Sequence, residues 1–422
     1  MNSLNKKSIK DLDVNGKTIV LHLDLNVVVD YENKRILNDR KLRASLPTIN
    51  YLINHNAKIV ILSHLGRIKT LADKQSGKYS LEIIVDELRN RVSKNVNRVV
   101  FSPLNYGETV VQMVNDLEER DILILENTRY CDISDEGEYV GLEWDGSEIL
   151  GQFWGMLGDI FIDDAYGVAH RQLSSNYQTA KFAKKSALGF LIVNEINHLD
   201  IALEVPKSPY LALIGGNRVA DKIAAIEVLC ERADQVIIGG GLVYTFLYAQ
   251  GYNVGLNLVE RNMIDDCNNI LEKYGKKILI CFDFLCNNDF SDTRPIYRKI
   301  DEGLEGLYGL DIGKRSLKFI KHEIYRSKTI LLNGPFGVIE NIKNYAQGTT
   351  EICKSMAKQT TRGAYTIICD IDTSSHAEYL GLDKYINFIS TGGGASLSYI
   401  EEGVLDGLET IDNVPLNVLK KE

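Results

Sequence analysis

Seven polar residues at the ends of apolar runs in the first half of the chain, Asp24, Asn26, His64, Arg67, Arg129, Asp164 and Arg171, are of types that bind and orient small anions. A guanidinium fork matches both carboxylate and phosphate, so three arginines on separate run ends point to an acid carrying both groups. Any one of them alone reads as a solvated surface charge; three together do not. In the second half the run ends carry glycine instead: Gly215-Gly216, Gly239 to Gly241, Gly334, Gly337 and Gly392 to Gly394. Glycine lets the main chain approach a ligand and present N–H groups to phosphate. One glycine is a turn residue, but this concentration suggests that a nucleotide lies in the second half. An anion-binding half facing a nucleotide-binding half is the arrangement of phosphoryl transfer in a closing cleft that excludes water.

The elements that must position these groups are short β-branched runs separated by longer helix-like stretches, the pattern of parallel strands buried on both faces with crossover helices. KTIVLHLDLN, AKIVILSHLGR, RVVFSP, DILILENTRY and DIFIDDAYG come first; YLALIGGN, QVIIGGG, KILICFDF, TILLNGPFG, YTIICDIDT and INFISTGGG follow. Ligands of such sheets lie beyond the carboxyl ends of the strands. A length of 422 residues favours two domains. The expected fold is therefore α/β: two Rossmann-like domains, each a parallel sheet with helices on both faces, separated by a hinge cleft. Leu191 to Leu203 has helical spacing and is followed by PKSP, which suits an interdomain connector or one more crossover helix equally. Asp132 to Ser147 and Phe290 to Ile300 are polar and irregular, and are expected to be loops.

A formal charge of -9 gives no general reason to expect nucleic acid or anionic membrane as a partner. No apolar run approaches the roughly 20 residues of a membrane span. Met1 to Asn15 lacks the apolar region of a secretory signal and the Arg-rich character of a transit peptide, so a cytoplasmic protein is expected. Seven scattered cysteines without a CxxC pair suit reduced core thiols.

SHLGR at Ser63 to Arg67, LENTRY at Leu125 to Tyr130, DDAYGVAHR at Asp163 to Arg171, IGGNRVADK at Ile214 to Lys222, IIGGGLVYTF at Ile237 to Phe246, NGPFGVIE at Asn333 to Glu340 and STGGGASL at Ser390 to Leu397 resemble phosphoglycerate kinase motifs, in that family's order. The resemblance covers nearly the whole chain, and LNKKSIKDLDVNGK at its start is more similar to eukaryotic members. It implies an acid-substrate domain over residues 1–190, an interdomain helix over 191–204, a nucleotide domain over 205–405, and a tail, 406–422, returning to the first domain. It implies that Asp24, Asn26, His64, Arg67, Arg129 and Arg171, with His22, hold 3-phosphoglycerate. Lys222 would meet the nucleotide phosphates, Glu340 the ribose and Asp372 the magnesium; Gly215, Gly216, Gly240, Gly241 and Gly309 would line the adenine side, and Asp370, Ile371 and Thr373 complete the nucleotide tip. Lys41 and Arg218, with Lys222, would face the transferring phosphoryl. The cofactor implied is Mg²⁺ with ATP or ADP, and the implied state a monomer. Alignment, Mg²⁺ and cationic stabilisation would carry the reaction, without covalent catalysis.

Four departures from the family's pattern fall on this chemistry. His22 stands where the family has arginine in RVDFN, weakening a positive charge. Lys41 replaces the arginine that approaches the moving phosphoryl, losing its planar fork, and neither Arg40 nor Arg43 has the spacing to substitute. Arg218 replaces a lysine. Cys369, Asp370 and Ile371 replace three glycines, so side chains are expected in the space of the phosphates, with Ile371 resisting φ > 0 and Asp370 adding negative charge. Nucleotide binding should then weaken unless Asp370 joins Asp372 on Mg²⁺. Leu173 and Leu332 also depart, without an assigned consequence. Three readings follow: a phosphoglycerate kinase with impaired turnover, a catalytically degenerate relative binding a metabolite or protein, or a kinase for another carboxylic acid.

Overall fold

The computed structural model describes residues 4–291 and 293–415, which divide into two compact units. One comprises the residues up to Asn197 together with those from Val404 onward; the other is His198–Gly403. The passage between them falls inside the helix Phe190–Leu203. Residues 416–422 of the expected tail lie outside the described residues; the part before them belongs to the first unit, where Lys6 and Asn413 form an antiparallel bridge and Lys7 N donates to Asp412 O at 2.8 Å.

Every apolar run named above contains a strand. The first unit's six-stranded sheet has Thr18–Leu23 between Lys58–Leu62 and Ile160–Asp164. Ile122–Leu125 and then Val99–Ser102 extend one side, Ser186–Leu188 the other, all in parallel. Ile122–Leu125 and Ile160–Asp164 are buried throughout, as two covered faces require. The helix Arg40–Asn54 buries Leu42, Ile49, Leu52 and Ile53, a 3.6-residue stripe that fixes its rotation over the sheet.

In the second unit the six-stranded parallel order is Ile278–Ile280, Gln235–Ile238, Tyr210–Ile214, Thr329–Asn333, Tyr365–Ile368 and Phe388–Ile389. The chain first builds outward from Tyr210–Ile214 on one side and later on the other, so the topological switch point lies between Tyr210–Ile214 and Thr329–Asn333. A three-stranded antiparallel sheet, Ile296–Lys299, Asp283–Asn287 and Tyr308–Ile312, is added. Its first-named strand corrects the expectation of a loop from Phe290 to Ile300: paired edge residues need not be apolar. No described helix is long and apolar enough to cross a membrane.

Candidate functional site

In the first unit, Asp24 follows the strand Thr18–Leu23 and is buried, and its carboxylate accepts the Lys41 ammonium at 2.7 Å. Burial works to raise the Asp24 carboxyl, but Lys41, His64 and the Asn26 N–H together outweigh it and hold the group below its ordinary range. Only glycine fits at position 167 beside this pair, because a Cβ there would lie 2.2 Å from Asp24 Oδ2. Lys41 is thus an internal partner before it is anything else. Arg43 donates to Asp39 at 2.9 Å within its own helix.

Asn26 Oδ1 accepts Gly66 N–H at 2.9 Å, and Arg129 Nη1 donates to Gly66 O at 2.7 Å. Two expected ligands therefore clamp one residue, which has φ +66° and whose Cβ would strike the Tyr79 ring at 2.2 Å. His64 is buried, and burial followed by the charge of Arg129 pushes its pKa far down, so it is neutral at pH 7. Arg67 and Arg171 are exposed, and neither is ion-paired among the described residues. Arg129 is lowered by burial against the opposing pull of Glu143, Asp132 and Asp24, with Arg171 a smaller lowering influence; Arg171 is lowered by burial and by Arg67. Three guanidinium groups thus lie within electrostatic reach of one another, and an anion would relieve them.

His22 is corrected. Expected among the acid's ligands, its side chain is 1 % exposed, with Nδ1 3.0 Å from Asp163 Oδ1 and Nε2 3.1 Å from Ser175 Oγ. Burial opposes its protonation, but Asp163, helped by Glu143 and Asp24, more than offsets this and raises the ring above its ordinary value. Asp164 also turns inward: it accepts Leu191 N–H at 2.8 Å and Ile192 N–H at 3.2 Å, capping the helix Phe190–Leu203.

In the second unit the switch point is closed by the protein itself. Gly215 N donates to Asn333 O at 2.9 Å and Gly216 N to Pro335 O at 2.8 Å. A Cβ on Gly215 would lie 2.3 Å from Pro335 O, so this glycine packs tip against tip. Into the junction reaches Lys222, 7 % exposed, whose ammonium donates to Gly215 O at 2.7 Å, Asn333 O at 3.1 Å and Asn333 Oδ1 at 2.7 Å. Burial lowers it to about 8 against the pull of Asp370.

Beside the junction is a cavity of about 790 Å³. Gly240, Gly241, Gly309, Glu340, Asp372 and Arg218 line it, as do the aromatic rings of Tyr244, Phe284, Phe290 and Tyr308. Gly215, Gly216 and Lys222 are not among its lining residues, and neither are Asp370, Ile371 and Thr373. Arg218 Nε is 3.3 Å from Glu260 Oε1, and Glu260 also accepts the main-chain N–H of Val219.

The tip with three substitutions is a regular helix start. Cys369 is fully buried and continues the sheet by donating its N–H to Leu332 O at 2.9 Å. Asp370 is the N-cap of the helix Ile371–Tyr379, accepting from both N and Oγ1 of Thr373 at 2.9 Å. Ile371 needs no positive φ: it opens that helix, 49 % exposed, leaning towards Gly393. The substitutions make an ordinary capped helix start. Asp372 is raised by burial and then by Asp370 and Glu340. Among the described residues no three His, Cys, Asp or Glu gather as a metal site. A lone carboxylate among repelling neighbours does fit Mg²⁺ delivered with phosphate oxygens and water.

Not anticipated were Asn333, Glu260 and the aromatic wall. Asn333 stands inside NGPFGVIE, where its type offered a signal; the rings come from separate elements, Tyr244 from the helix Val243–Ala249, Phe284 and Tyr308 from two strands and Phe290 from a bend, so no single periodicity gathers them.

A family model described as phosphoglycerate kinase matches residues 9–403. The chain is 38% identical over 422 residues to a phosphoglycerate kinase of Mycoplasmoides gallisepticum, covering 98% of this chain and 100% of that one. It is 40% identical over 413 residues to one of Mycoplasma genitalium, covering 97% and 99%. Among solved structures, phosphoglycerate kinase from Coxiella burnetii matches with a TM-score of 0.79 at 29% identity, and that from Pyrococcus horikoshii with 0.81 at 26%, each covering 96% of this chain and 98% of the other.

Proposed function

The chain belongs to the phosphoglycerate kinase family, and from that premise we propose that it transfers phosphoryl between 3-phosphoglycerate and ATP, in either direction, as a slow, monomeric enzyme of glycolysis in the cytoplasm. Forward from ATP, a carboxylate oxygen of the acid attacks the terminal phosphorus. A new P–O bond forms to the acid while the bond to the oxygen left on ADP breaks, giving 1,3-bisphosphoglycerate. The first unit would hold the acid and the second the nucleotide. The observation that carries this reading is the group of Arg67, Arg129 and Arg171, two of them exposed without ion pairs among the described residues, a concentration of positive charge that suits an anion.

The aromatic and glycine-walled cavity supports a base and ribose, with Glu340 a candidate acceptor for the ribose hydroxyls. Bound with the nucleotide, Mg²⁺ would be held by Asp372 and would neutralise phosphate charge. Lys222, being lowered to about 8, retains its proton at pH 7 and supplies positive charge at the tip.

Slow turnover is inferred from Lys41, whose ammonium is engaged by Asp24 at 2.7 Å and has no fork with which to hold carboxylate and phosphoryl together. The same contact favours a second reading, a relative that binds the acid without turning it over. A coupled assay with ATP, Mg²⁺ and 3-phosphoglycerate decides. Turnover well below ordinary kinase rates is expected, rising when Lys41→Arg is combined with Cys369→Gly, Asp370→Gly and Ile371→Gly. Ordinary rates in the unmodified chain would refute impairment. Calorimetric binding of the acid with no turnover in either protein would establish the second reading.

A further inference from the structure

We propose that Trp144 is a positioning residue of the acid site, its indole ring gathering the guanidinium groups of Arg129 and Arg171 onto one π surface so that the anion clamp is set before substrate arrives. This rests on the assignment of the acid to the first unit. Arg171 Cζ lies 4.4 Å from the indole centroid and Arg129 Cζ 5.2 Å, both within cation–π range. Bringing like charges together is unfavourable, and a side chain stripped of water feels it more. The indole face supplies electron density in direct contact with both guanidinium groups, whereas the carboxylates that Arg129 feels, Glu143, Asp132 and Asp24, are not ion-paired with it among the described residues and leave its remaining donors open to the incoming acid.

The ring is held rather than draped. Trp144 N and Glu143 N both donate to Asp132 Oδ1, at 2.9 and 2.8 Å, and Asp132 is buried. On the other side, buried Glu143 accepts Ser175 Oγ at 2.5 Å and Ser175 N at 3.0 Å. Two buried carboxylates thus peg the loop on either side of the indole, which stays 38 % exposed. Trp154 shows the contrast: fully buried, it donates Nε1–H to Asn105 O at 2.7 Å, as a core tryptophan does. Among the described residues the Trp144 ring has no such hydrogen bond and is met by the two arginines, so its exposed placement is explained by what it carries.

The test is steady-state kinetics and calorimetry with 3-phosphoglycerate on Trp144→Ala, Trp144→Leu and Trp144→Phe. Loss of two cation–π contacts is expected to raise KM and Kd for the acid about 10-fold in Trp144→Ala and Trp144→Leu, with kcat changed less than about 3-fold. Phe, which keeps a π face, recovers most of the loss; Leu, which keeps only bulk, does not. The emission of wild type shifts on titration with 3-phosphoglycerate or inorganic phosphate, and the shift disappears in Trp144→Phe. Leu as good as Phe, or Ala and Leu with wild-type affinity and an unmoved emission, would overturn the proposal while leaving the acid site intact. If wild type binds no 3-phosphoglycerate by calorimetry, the assignment of the first unit fails and this inference falls with it.

Discussion

Under the proposed function, the two units would meet negatively charged ligands by opposite means. In the first, long side chains are disciplined by other side chains: Lys41 by Asp24, Arg129 by Gly66 and the indole, Asn26 by the loop it holds. In the second, the main chain does the work, with Gly215, Gly216, Asn333 and Pro335 locked tip to tip and one ammonium filling the junction. Side-chain sites tolerate substitution by degrees, because each group acts with some independence. A main-chain site depends on a few contacts that no neighbour can replace, so its damage should be abrupt.

Lys222→Met probes that difference most sharply. It leaves Gly215 O and Asn333 Oδ1 without the ammonium in a buried junction, Asn333 O keeping the N–H of Gly215, and is expected to destabilise the protein by about 3 kcal/mol and abolish nucleotide binding. Urea unfolding and nucleotide calorimetry read the two effects; wild-type values in both would remove the ammonium from its place in the comparison. The same residue gives a pH signature. Its pKa is lowered to about 8 in the folded protein from an ordinary 10.5, so between those values the unfolded state binds more protons and stability rises with pH. That contribution is complete above 10.5 and is lost as pH falls through 8; the difference between wild type and Lys222→Met should show it.

Lys41→Met should be milder, about 2 kcal/mol, since it strands the Asp24 carboxylate at a partly open site, and Asp24→Asn in the same chain should recover much of the loss. Additive effects in that double-mutant cycle would mean the pair is not coupled. The smallest change expected is Asp370→Ala, about 1 kcal/mol for loss of an N-cap. It should also lower the Asp372 pKa, because a repelling carboxylate is gone; an unchanged Asp372 titration by NMR would contradict the proximity inferred for the two.

The parallel strands were legible because burial on both faces demands apolar runs, and which residues stand at their carboxyl ends followed from where each run stops. What those tips do was less legible. In a strand covered on both sides, alternation does not tell which face leads to a ligand, so His22 could be placed beside the acid in sequence but lies between Asp163 and Ser175. Asp370 carried a readable signal, an acid three residues before Thr373 at a helix start, which loss of the glycines overshadowed. Trp144 sits in an aperiodic loop, where only the fold brings two arginines to it.

The bridge between Lys6 and Asn413 has a consequence for biosynthesis. Residues His198–Gly403 are contiguous and can collapse without any later stretch of sequence, whereas the unit begun earlier awaits the stretch after Gly403 that bridges to Lys6. The half that emerges first is therefore the last to finish, and a released chain truncated before Val404 should be protease-sensitive ahead of Asn197 and resistant beyond it.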